Sequence, residues 1–282
     1  MKIWRYWLVE TRPLRCMGAS GEAFQGNFRV TAGSNVSESD AKNRLEAIFA
    51  ELADWEMRGG RYSEEDLAEH RRRLRELHGW FEDGEYARPI CEPVVYEKDP
   101  LNVVTRNRYG AEVLNSEDTC FIDIDHVRRT FGELMRGFWG GARTTEDILK
   151  ARMEVLLSQS ENADLGFRLY KTAAGFRLAV EGRRLEPDGP RAQELMRVFN
   201  VDGLYANLCV SQKCYRARLT PKPCRIGMRR FSGEASWISD YESHCGGYAV
   251  CRLICAKGIR MDGPAISLHD EKTLCESDLP LA

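Results

Sequence analysis

The chain has 282 residues, 43% of them apolar and 30% charged, with a formal net charge of −2. That length supports one large core or two modest ones, and the composition excludes a disordered or fibrous chain. No window approaches eighteen uninterrupted apolar residues, so no transmembrane helix and no membrane partner are expected. Charges among the first ten residues argue against a secretory leader, and the ten cysteines are scattered singly, which fits reduced thiols and leads to the expectation of a cytoplasmic protein.

Ile3, Trp4 and Trp7, interleaved with charges, predict a first strand. Ser37-Glu38-Ser39-Asp40 then opens a helix that carries Leu45, Ile48, Phe49, Leu52 and Trp55 at helical spacing and stops at Gly59-Gly60. A second helix is predicted from Ser63 to His78. Its Arg71, Arg72, Arg73 and Arg75 are matched by Glu64, Glu65, Asp66, Glu69 and Glu76, which reads as a solvated face before it reads as a phosphate contact. The stretch from Asp83 to Pro100, with Pro89, Pro93 and Pro100, is expected to be an irregular connection. Residues 1–100 are thus expected to form a strand and helical region, and residues 101–282 a core of different pattern.

From Val103 short strands are predicted: Val103-Val104-Thr105, then Cys120-Phe121-Ile122-Asp123-Ile124-Asp125. A glycine-containing loop or short helix follows (Gly137, Gly140, Gly141), with a helix start at His126, and then a capped helix from Thr144 through Leu157. Phe167–Lys171 and Phe176–Val180, joined by Thr172-Ala173-Ala174-Gly175, make the clearest hairpin. Pro190 starts a short helix, Tyr215–Leu219 is an alternating strand ended by Pro221, and a helix near Trp237 and a strand from Tyr248 to Cys255 complete the elements. The fold class is α+β, a mixed or antiparallel sheet with flanking helices, without regular βαβ alternation.

The chemistry starts at Asp123 and Asp125. Side chains at i and i+2 of a strand share a face, roughly 6.6 Å apart along it, so the two carboxylates can converge on Mg²⁺ or Mn²⁺ or repel one another in water. The alternative is a strand end with Asp125 capping the next helix. From Gly203 to Gly233 there is no acid, while Lys213, Arg216, Arg218, Lys222, Arg225, Arg229 and Arg230 are present, a field that attracts anions. Asp202, in Asn200-Val201-Asp202-Gly203, suits a turn as well as it suits a metal, and Arg168 and Arg177 suit the exposed face of a two-stranded ribbon. Lys222 stands between two prolines and is rigidly presented.

Taken in order, Asp123 and Asp125, the hairpin with Thr172, Gly175 and Arg177, Asp202, and the run Arg216-Ala217-Arg218-Leu219-Thr220-Pro221-Lys222-Pro223 resemble the archaeo-eukaryotic primase (primase–polymerase) superfamily over roughly residues 100–226. The resemblance implies a primase/RRM-like core, a metal-dependent nucleotidyltransferase activity on nucleotides or nucleic acid, DNA or RNA left open, and Mg²⁺ or Mn²⁺ as cofactor. It implies that Asp123, Asp125 and Asp202 are catalytic metal ligands and that Thr172, Gly175, Arg177, Arg216, Arg218 and Lys222 bind nucleotide or phosphate. Arg177 stands where the family motif has histidine, so a guanidinium would replace an imidazole there. Two other functions use the same residues: a non-catalytic nucleic-acid-binding module, and a metal-dependent phosphoesterase.

Cys209, Cys214, His244, Cys245, Cys251 and Cys255 form a competing zinc constellation, but no Cys-x₂-Cys pair is present and buried thiols are the simpler expectation. Tyr170, Phe176, Tyr205, Tyr215, Trp237 and Tyr241 could stack on bases, although their spacing matches packing positions.

Overall fold

The structure is a computed structural model that describes residues 1–17, 23–57, 63–82, 85–125, 127, 144–229 and 231–282. The expected helix start at His126, the Gly137–Gly141 loop and Arg230 lie outside the described residues. The chain divides into two compact units, Met1–Glu92 and Pro93–Ala282.

In the first unit, β1 (Tyr6–Met17) and β2 (Ala23–Ser34) pair antiparallel over their whole length. Helix α1 (Glu38–Met57) lays Leu45, Ile48 and Phe49 on Val30 and Ala32 of β2, the apolar stripe that the helical spacing requires. Gly33 is fixed by packing, because a Cβ there would lie 2.0 Å from the ring of the buried Trp4. Helix α2 (Glu64–Leu77) starts at a capping box in which Ser63 and Asp66 satisfy each other's backbone N–H. Arg72 is ion-paired to Glu69 and Glu76, and Arg73 to Glu69, as a solvated charged face demands. A two-residue pairing of β3 (Phe81–Glu82) with β4 (Glu85–Tyr86) ends the unit.

The second unit is α+β with antiparallel sheets flanked by helices. β5 (Val94–Asp99), β6 (Asn102–Arg106), β7 (Glu112–Ser116) and β11 (Tyr215–Arg218) form one sheet in the order β11-β7-β6-β5. β8 (Cys120–Ile124), β9 (Leu165–Thr172), β10 (Phe176–Gly182) and β12 (Cys251–Gly258) form the other, in the order β12-β9-β10-β8. Because β5 pairs with β6, the unit begins at Pro93 and not at residue 101, and Val94–Asp99 is an edge strand where an irregular connection was expected.

Among the described residues five α-helices accompany the sheets: α3 (Thr145–Leu157), α4 (Pro190–Val198), α5 (Gly203–Gln212), α6 (Ala235–Cys245) and α7 (Pro264–Thr273). The Thr144 capping box starts α3 as the sequence predicts, and Ile148, Leu149, Met153 and Leu156 are its buried side. Leu208-Cys209-Val210 lies inside α5, and neither α5 nor the C-terminal α7 had a counterpart among the expected elements.

Helix α7 decides what the central strands are. The register sets Asp123 opposite Arg177, Phe121 and Arg168 opposite Ala179, and Arg177 opposite Tyr170, so all six share one face. His269 and Asp270 of α7 lie against that face. Arg168 and Arg177, which the alternation placed equally well on a solvent-exposed ribbon, are therefore buried, at 4% and 0% exposure.

Candidate functional site

One cleft of about 130 Å³ in the second unit is lined by Asp123, Asp125, Thr172, Ala174, Phe176, Arg177, Asp202, Tyr205, Arg218, Lys222 and Arg225. Its acidic wall comes from the end of β8 and the start of α5. Its basic wall comes from β11 and the turn after it.

The β9–β10 hairpin shapes the acidic wall. Thr172 N–H donates to the Gly175 carbonyl and Gly175 N–H donates to Thr172 Oγ1, both at 3.0 Å, which closes the turn on itself. A Cβ on Gly175 would lie 2.2 Å from the Ile124 carbonyl oxygen and 3.1 Å from Asp125 Cα. Glycine is what lets the turn abut the end of β8, so Gly175 sets the backbone beside Asp125 and is not itself part of the lining.

Asp123 and Arg177 form a two-point pair, Nε to Oδ1 at 2.7 Å and Nη2 to Oδ2 at 3.3 Å. Burial raises the Asp123 pKa, but the Arg177 charge and its hydrogen bonds outweigh it and hold the carboxyl below the usual range. Arg177 Nη1 donates at 2.8 Å to the carbonyl of Arg218. With the side chain fully buried, its fork is turned onto Asp123, where the sequence led to the expectation of a nucleotide contact.

Asp125 is exposed at the strand end, and Asp202 caps α5 by accepting from Leu204 N–H at 2.9 Å. The turn reading of Asp202 is realised in this cap, yet its side chain still lines the cleft. Between the walls, Tyr205 hydroxyl donates to the Phe121 carbonyl at 2.7 Å and ties α5 to β8.

The basic wall is built by prolines and a tyrosine. Tyr241 hydroxyl donates to the Pro221 carbonyl at 2.5 Å and lies 2.8 Å from Thr220 Oγ1, anchoring the chain as it leaves β11. Pro221 and Pro223 fix φ on either side of Lys222, and a short 3₁₀ turn at Pro223–Arg225 brings Arg225 back toward Arg218. Arg218 is partly buried and its Nε has no hydrogen-bond partner among the described residues, nor does Arg225 Nη1. Burial, with the Arg177 charge beside it, lowers the Arg218 pKa to about 10. Burial and the charges of Arg218 and Arg225 lower that of Lys222 as well. Arg216 shares strand parity with Arg218 but does not line the cleft; its Nη1 donates to Gln212 Oε1 at 3.2 Å.

Arg218, Lys222 and Arg225, three cations close together with buried N–H groups unspent on Arg218 and Arg225 among the described residues, form a receptor for an anion. For a divalent cation the donor set fits only in part. Both Asp123 oxygens face Arg177, and no group of three or more His, Cys, Asp or Glu among the described residues is arranged to hold a metal. Asp125 and Asp202 remain as hard oxygen donors, the number Mg²⁺ uses when phosphate oxygens and water complete its shell.

Arg225 enters the sequence reading only as part of the acid-free segment and Tyr205 only as a ring that could stack on bases; His269 and Asp270 carry no expectation there and act on Arg177, Arg168 and Tyr170, far away in sequence. The zinc constellation is not assembled among the described residues: Cys209, Cys214 and Cys251 are buried, and these three, Cys245 and Cys255 are free thiols. Tyr170, Tyr215 and Tyr241 are core, leaving Phe176 and Tyr205 as the cleft's aromatic lining. No described helix is long and apolar enough to cross a membrane. Comparison with protein-family models, with curated proteins and with solved structures found no match to the chain.

Proposed function

We propose that the second unit is a metal-dependent nucleotidyltransferase of primase–polymerase type, acting on nucleotides or nucleic acid. The observation that carries this reading is one cleft in which Asp125 and Asp202 face Arg218, Lys222 and Arg225. The cations would take the phosphates, as charge-assisted donors whose own repulsion an anion relieves. Asp125 and Asp202 would hold one Mg²⁺ or Mn²⁺ together with the ligand phosphates, and the ion would supply charge neutralisation and a more acidic hydroxyl. Asp123 shapes this site through Arg177. Thr172 and Gly175 keep the hairpin turn against the strand end, and Tyr205 and Phe176 offer ring faces beside the anion.

The pairing of Asp123 with Arg177 favours a second reading, a non-catalytic module that binds nucleic acid or a nucleotide through the basic wall alone. Thermal unfolding of the full chain with Mn²⁺, with a nucleoside triphosphate, and with both separates the two. Nucleotidyl transfer predicts a stabilising shift that needs both, and pyrophosphate release that Asp125→Asn abolishes. A shift with the triphosphate alone, unaffected by Asp125→Asn, supports the module. Metal-dependent hydrolysis of a phosphodiester to a phosphomonoester, with no pyrophosphate released from the triphosphate, supports a phosphoesterase.

A further inference from the structure

We propose that Arg177 is the positioning residue that fixes the two walls of the cleft relative to each other, and that His269 and Asp270 hold it in that role; the inference rests on the phosphate-binding reading above. One guanidinium reaches both walls. Nε and Nη2 engage Asp123 on β8, and Nη1 engages the backbone carbonyl of Arg218 on β11, a strand of the other sheet. Rotating Arg177 away would release both at once.

His269 prevents that rotation. Its Nε2 lies 3.2 Å from Arg177 Nη1, and since a guanidinium only donates, Nε2 accepts and the ring proton resides on Nδ1. Nδ1 then donates to Asp270 Oδ1 at 2.8 Å. The ring is fully buried, with Phe121 at 5.0 Å and Tyr170 at 4.9 Å between centroids. Asp270 is held in turn by Tyr170 hydroxyl at 2.7 Å and Arg168 Nη1 at 2.9 Å. A continuous chain of directed hydrogen bonds therefore runs from α7 to the floor of the cleft. No α7 residue lines the cleft, and the hydrogen bond from His269 reaches the lining at Arg177.

The test is calorimetric titration of the full chain with pyrophosphate in the presence of Mn²⁺. His269→Asn keeps a polar group for Asp270 but is too short to accept from Arg177. Arg177→Lys keeps the charge for Asp123 but cannot also reach the Arg218 carbonyl. His269→Gln places an amide oxygen near the Nε2 position. Outer groups that orient ligands typically matter by about 10-fold or more, so His269→Asn and Arg177→Lys are expected to weaken binding at least that much while His269→Gln stays near wild type. Folded His269→Asn and Arg177→Lys chains that bind like wild type overturn the inference alone, as does a folded His269→Gln chain that binds as weakly as His269→Asn. A wild-type chain that binds no pyrophosphate overturns both this inference and the phosphate reading.

Discussion

Arg168 and Arg218 are arginines of one unit, both drawn into its interior, and their surroundings differ in one respect. Arg168, 4% exposed, spends its donors on Glu181, Asp262 and Asp270. Arg218 has Arg177, Arg225 and Lys222 for neighbours and a buried Nε with no partner among the described residues. Burial of a guanidinium is thus not the mark of a site. Uncompensated burial is, since a compensated cluster is finished as folded while a set of unpaired cations is finished only by an anion.

That contrast predicts opposite outcomes for similar substitutions. The largest effect is expected at the compensated end. Arg168→Met leaves Glu181 without its buried partner and should cost about 3–5 kcal/mol in urea unfolding, with a smaller loss of pyrophosphate affinity in the folded chain than the cleft variants show, because Asp270 keeps its bond from Tyr170. Arg218→Ala with Lys222→Ala should do the reverse. Affinity for pyrophosphate should fall by about 10- to 100-fold, and its salt dependence flatten, for the loss of charge-assisted contacts of about 1.5–3 kcal/mol each, while stability holds or rises. A destabilised double variant with intact affinity would erase the distinction.

A smaller effect sharpens it further. Burial first, and then the Arg177 charge, lower the His269 pKa, although Asp270 opposes them. The unfolded histidine, with a pKa near 6.5, takes up a proton that the folded one refuses, so stability is full above about pH 6.5 and falls as pH drops below it, by at most about 1.4 kcal/mol per pH unit. His269→Gln should remove most of that slope in the second unit. A remainder is expected from His78 of the first unit, whose pKa burial also lowers. Equal slopes in both chains would show that His269 is protonated in the fold.

Much of this architecture is written locally in the sequence. The Thr144 capping box, the Leu45–Ile48–Phe49 stripe and the Thr172–Gly175 turn are each specified by residues within a few positions of one another, and each forms where expected. β7 has no counterpart among the expected strands, since the polar Asn115 and Ser116 break its apolar run; in the sheet Asn115 Nδ2 donates to the Val103 carbonyl and Thr105 Oγ1. α7 buries His269 and Thr273 along with Ala265, Ile266 and Leu268, and the strand residues it meets include Arg168 and Arg177. With α7 invisible, the charges of β9 and β10 could be read as facing water, and Leu268-His269-Asp270 had no partner to give it meaning. The residues of the cleft were largely legible because acid and base segregate along the chain. Their roles were not, since Asp123 and Arg177 are cross-strand neighbours 54 residues apart.

The central claim is that the acidic and basic walls act on one bound phosphate group, and a double-mutant cycle tests it most directly. Affinity for a nucleoside triphosphate with Mn²⁺ is measured for the wild-type chain, Asp125→Asn, Arg218→Ala and the double variant. Asp125 is exposed, so its replacement should alter stability by no more than about 0.5 kcal/mol. If both walls hold the same ligand, the losses are strongly non-additive, with a coupling of about 0.5–3 kcal/mol. Strict additivity, or affinity indifferent to Asp125 with and without Mn²⁺, would contradict the account.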